Sequence, residues 1–100
     1  MEVTLREFQV RPGHLEDWLA GWRDGVMPLR RRCGFQLLGA WLDPATNRFV
    51  WVLGYDGPDG WDAADARYHA LPERRALDPE PSGFVAEATI TRMVPVPAEP

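Results

Sequence analysis

Lysine is absent from this 100-residue chain; all eleven basic side chains are arginine. Arginine therefore stands where other chains use lysine, and its number alone is no phosphate-binding signal. With a net charge of -4, a pI near 5.0 and basic runs only at Arg30-Arg31-Arg32 and Arg74-Arg75, the composition argues against a nucleic-acid partner. Cysteine occurs once, which rules out an intrachain disulfide and suggests a reducing compartment. Cys33 lies in an apolar turn beside Gly34 with no base near it in sequence, so it reads as a small packed hydrophobe. The longest apolar run, Phe49 to Tyr55, falls far short of a membrane span, and Met1-Glu2-Val3 does not begin like a signal peptide. Glycine-rich phosphate loops, a nucleophile elbow and a haem-attachment motif are missing. These absences predict a soluble cytoplasmic protein with no cofactor, no metal and no membrane partner.

Apolar residues, by contrast, make up 45% of the chain, and five are tryptophan. The length suits one domain with one core. Glu2 to Val10 alternates as a strand does, and Arg11-Pro12-Gly13 ends it. Leu15, Trp18, Leu19, Trp22, Val26 and Leu29 then recur at three- and four-residue steps, the stripe of an amphipathic helix. Pro28 must kink or restart that helix, Arg30, Arg31 and Arg32 suit its solvent-facing C-terminal end, and Gly34 stops it. Gly34 to Leu42 and Phe49 to Tyr55 form the arms of a hairpin that is apolar on both faces. Pairing Leu42 with Arg48 would set Gly39 opposite Trp51, although the five-residue reversal leaves the register open by one. Asp59 is the expected N-cap of a second helix carrying Trp61, Ala64, Tyr68 and Leu71, broken or restarted at Pro72. A polar connector, Asp78 to Gly83, leads to a last strand, Phe84 to Val94. Residues 1–94 thus form one domain, and 95–100 a proline-rich tail.

The order is βαββαβ, which predicts an α+β ferredoxin-like fold with a four-stranded antiparallel sheet and two helices on one face. Two helices cover one sheet face only. The second apolar face of the hairpin then calls for another copy, hence a homodimer packed sheet to sheet.

Several stretches together resemble the NIPSNAP family within the dimeric α+β barrel superfamily. They are Leu5-Arg6-Glu7-Phe8 leading into Arg11-Pro12-Gly13-His14-Leu15-Glu16, Pro28-Leu29-Arg30, Gly34 to Trp41, Val50 to Asp56, and Pro72-Glu73-Arg74-Arg75. The resemblance implies the same dimeric barrel and brings no catalytic motif with it. Related barrels of the superfamily include cofactor-free monooxygenases of antibiotic biosynthesis, lactone isomerases, polyketide cyclases and haem enzymes, an analogy at the level of fold.

Phe8, Trp22, Trp41, Trp51 and Tyr55 are the candidate lining of an apolar cleft for a planar aromatic or polyketide-like ligand, unless they are simply core. Arg6 lies mid-strand, where its charge needs either a structural partner such as Glu87 or a ligand carboxylate or enolate. Arg92 admits the same two readings. His69 follows Tyr68 at the edge of the second helix's apolar stripe and suits a general base, or a solvated helix end. Asp62, Asp65 and His69 share a helical face without a second ligand cluster, which reads as a solvated face with an Asp65–His69 pair. Two functions follow: a cofactor-independent monooxygenase, isomerase or cyclase with Arg6 and His69 as its catalytic pair, or a non-enzymatic ligand-binding or scaffold protein.

Overall fold

The computed structural model describes residues 1–99, so Pro100, the last residue of the expected tail, lies outside the described residues. Strands β1 (Glu2–Val10), β2 (Gln36–Asp43), β3 (Arg48–Tyr55) and β4 (Val85–Met93) form one antiparallel sheet in the order β2-β3-β1-β4. Helices α1 (Leu15–Gly21), α2 (Met27–Arg32), α3 (Trp61–Ala70) and α4 (Pro72–Arg75) complete the predicted βαββαβ order. The fold is therefore α+β and ferredoxin-like. No helix among the described residues is long and apolar enough to cross a membrane.

Period-two alternation decides what the helices cover. Thr4, Arg6, Phe8 and Val10 of β1 are buried, as are Phe49, Trp51, Leu53 and Tyr55 of β3, while the residues between them, from Leu5 to Gln9 and at Val50 and Val52, are only partly covered. Trp22 packs edge-on against Trp51 at 5.8 Å and against Phe49 at 5.0 Å, joining the first helix to the centre of the sheet.

The first helix runs on through Pro28 by a route the periodicity does not reveal. Trp22–Val26 is a π-helical turn between α1 and α2, and the Met27 N–H reaches the Trp22 carbonyl, five residues back. Proline at 28 lacks the N–H for an α-type bond, and its ring crowds the carbonyl four residues earlier; the wider turn relieves that crowding. The extra residue also delays the buried face, which becomes Trp18, Trp22, Val26, Met27 and Arg30, with Leu29 only partly covered. Arg30 is thus buried at 2% exposure, and the expectation that it ends a helix in solvent is corrected.

Strand β2 is corrected as well. Its register with β3 shifts between Leu37 and Gly39, so Ala40 faces Trp51, Gly39 faces Val52 and Trp41 faces Val50. The space left by Gly39 is taken by the Trp41 indole instead of Trp51: a methyl group at 39 would collide with that ring. Asp59 does not cap α3 either. Gly60, at φ 83°, is the N-cap residue, and the Glu2 carboxylate accepts the Trp61 N–H at 2.9 Å. Asp59 instead accepts from the Tyr55 hydroxyl and from Arg67, whose guanidinium also donates to the Cys33 carbonyl at 3.2 Å. Cys33 itself packs in the core.

Candidate functional site

A cleft of about 270 Å³ opens between the sheet and the helices. Arg6, Phe8 and Trp51 form its floor, because all three lie on the helix-facing side of neighbouring strands. The first helix contributes Trp18, Val26 and Arg30, the second Tyr68 and His69, and α4 Arg74. Pro81, Ser82 and the start of β4 close one side.

The cleft gathers arginines that differ in how they are neutralised. Arg30 lies 3.8 Å over the Tyr68 ring and 4.8 Å over Phe35, and its Nη1 donates to Asp65 at 2.6 Å. Arg74 grips Glu80 with two hydrogen bonds of 2.8 and 2.7 Å, which hold its pKa above the ordinary arginine value. Arg6 has no carboxylate partner among the described residues. It is 9% exposed, stacks 4.7 Å over Trp51 and makes one long hydrogen bond, Nη1 to the Thr4 hydroxyl at 3.4 Å. Burial, and then the charge of Arg30, pull its pKa down to about 10, which leaves it protonated at neutral pH. The expected Glu87 partner is out of reach because Glu87 pairs in register with Gln9, on the opposite face of the sheet.

His69 is 57% exposed and stands 3.5 Å from Asp65. Burial of its inner side lowers its pKa below 6.5, outweighing the nearby Asp65 carboxylate, so the ring is neutral at pH 7. Burial raises the Tyr68 hydroxyl above its usual pKa and keeps it protonated. Asp65 is shared between His69 and Arg30, whereas Asp62 is drawn to Arg92 at 2.7 Å. Arg92 also sits 3.7 Å from Glu2, which makes it part of a strand-to-helix ion cluster.

The structure therefore brings Arg6, His69, Phe8 and Trp51 to one cleft and leaves Trp22, Tyr55 and Trp41 off its lining. Trp22 is buried behind it, against Phe49. Tyr55 is held at the far end of β3 by Asp59 and packs on Phe35 at 5.1 Å. Trp41 lies on the other face of the sheet, 60% exposed, because the register shift in β2 places it opposite Val50. Sequence reasoning missed Arg30, Tyr68 and Arg74 as lining residues. Arg30 was hidden by the π turn, which brings it onto the face of Trp22 and Val26.

The wider fold is shared with solved structures. An uncharacterised NIPSNAP domain protein from Burkholderia xenovorans superposes with a TM-score of 0.84 at 22% identity, over 100% of this chain and 99% of that one. A NIPSNAP family protein of unknown function from Agrobacterium tumefaciens gives 0.85 at 19% identity, over 100% and 92%. An antibiotic biosynthesis monooxygenase gives 0.72 at 18% identity, over 97% and 100%. At such identities the likeness concerns the fold alone. No curated protein matches the chain. The NIPSNAP family model matches residues 1–100, and the chain belongs to the NIPSNAP family.

Proposed function

We propose that the protein is a homodimeric cytoplasmic barrel that binds a small planar organic ligand in the cleft between its sheet and helices, with Arg6 and His69 acting on that ligand. The observation that carries this reading is convergence: a buried guanidinium from β1 and a neutral imidazole from α3 line the same aromatic-floored cavity. A neutral histidine accepts a proton from a carbon next to a carbonyl, and a fixed cation beside it stabilises the enolate that results. Such a pair serves cofactor-independent isomerisation, ring closure or, with dioxygen as oxidant, monooxygenation. The structural likeness to an antibiotic biosynthesis monooxygenase supports this class through fold alone.

The homodimer rests on the opposite face of the sheet, where Trp41, Leu38 and Met93 are exposed beside Val50 and Val52. That face also supports a second reading, a dimeric scaffold or non-enzymatic binder, because its exposed Trp41, Leu38 and Met93 are independent of the cleft. Native mass spectrometry of gently purified protein tests both. We expect a dimer carrying a small-molecule adduct that is depleted in the Arg6→Gln variant. A ligand-free dimer that binds none of a panel of planar aromatic compounds would leave the scaffold reading standing, and a monomer at micromolar concentration would sink the barrel.

A further inference from the structure

A buried polar atom that lacks a partner calls for an explanation. Among the described residues, six buried side-chain atoms have none: the Nε atoms of Arg6, Arg30 and Arg74 and the indole Nε1 atoms of Trp18, Trp22 and Trp51. All six are donors. All except that of Trp22 belong to residues lining the cleft. Arginine and tryptophan side chains carry donors and no acceptors, so a lining built from them favours a ligand that accepts hydrogen bonds.

Charge points the same way. Of the three guanidinium groups at the cleft, Arg30 is neutralised by Asp65 and Arg74 by Glu80, and Arg6 is left over. Glu87 also borders the cleft, but its register with Gln9 sets its side chain on the far face of the sheet, in a polar patch with Glu7, Arg48 and Thr89. The cleft therefore carries one uncompensated positive charge, nine-tenths buried, on a planar group stacked over Trp51. A desolvated guanidinium without a carboxylate partner matches a ligand carboxylate, which accepts two parallel hydrogen bonds in the same plane. The small volume and the aromatic floor admit one flat ring system behind that group.

We infer that the cleft is selective for aromatic carboxylates, bound as monoanions with the carboxylate on Arg6 and the ring beside Phe8 and Trp51. This rests on the small-molecule reading of the cleft and names the ligand class for it.

The test is calorimetric titration of the full-length protein with three probes of one shape: 2-naphthoate, 2-naphthalenemethanol and 2-naphthylmethylammonium, with tryptophan fluorescence as a second readout. The acid should bind at least about tenfold more tightly than the alcohol, as expected for a charge-assisted pair out of water, and the ammonium should bind least. In Arg6→Gln the preference for the acid should vanish while the affinity for the alcohol stays the same. Arg23→Gln, which changes an exposed arginine away from the cleft, should leave both unchanged. If Arg6→Gln fails to fold, the acid-to-alcohol ratio of the wild type and of Arg6→Lys decides. Equal binding of acid and alcohol, or tightest binding of the ammonium, would overturn the anion assignment and leave the pocket intact. Binding of none of the probes at millimolar concentration would overturn the pocket reading and this inference with it.

Discussion

Asp65 and Arg30 depend on each other unequally. Arg30 is 2% exposed and Asp65 35%, so removing the carboxylate strands a buried charge, while removing the guanidinium leaves a carboxylate that water reaches. Asp65→Asn is therefore expected to cost about 3 kcal/mol in urea unfolding, and Arg30→Met less. A larger loss for Arg30→Met would contradict this account. Asp65 also supports His69, since its charge raises the pKa of the ring against burial and the neighbouring arginines. In an NMR titration, His69 should protonate below the ordinary histidine value, and lower still in Asp65→Asn. A rate that uses His69 as base must accordingly hold through neutral pH and fall only as pH drops through that lowered midpoint. At this scale the sequence disclosed which groups were costly, such as Arg6 in the middle of a strand. Their partners it withheld, because partnership depends on which strand face and which helix turn meet.

At the scale of elements, the chain between β3 and α3 is held by the Tyr55–Asp59–Arg67 clasp. The Tyr55 hydroxyl, followed by Arg67, lowers the pKa of Asp59. A carboxylate with a depressed folded-state pKa contributes stability above its unfolded value and loses it as pH falls through the folded one. Asp59→Asn should therefore lower the melting temperature at pH 7, and the gap from wild type should close on acidification through the carboxylate range. A gap that persists at the lowest pH would assign the effect to geometry instead of charge. Element positions were legible because strand and helix periods differ, and β1 appears over the residues its alternation marks, Glu2–Val10. The π turn and the β2 register shift were not. Each adds a residue to a repeating pattern, and with both faces of the hairpin apolar, hydrophobicity could not tell one register from the other.

For the whole molecule, one sheet face carries the helices and the other presents Trp41, Leu38 and Met93 to solvent. Placing a charge on the exposed apolar part of that face, at Trp41 of the edge strand β2, should block the proposed sheet-to-sheet dimer without touching the core. If the proposed dimer forms through this face, the wild type sediments as a dimer and Trp41→Glu as a monomer at the same concentration, with its far-UV circular dichroism retained. Identical sedimentation of the two would remove this face from the interface.

By itself, the sequence determined the order of the elements, the ferredoxin-like class, the surplus apolar face and the presence of a charge inside a strand, since each follows from local pattern and composition. Only the tertiary structure decided that Arg6 and His69 share a cleft, that Arg30 turns inward and that Trp41 turns out. The first depends on how β1 and α3 pack, and the other two on one inserted residue in the first helix and one in β2; a local period is blind to a shift that packing alone selects.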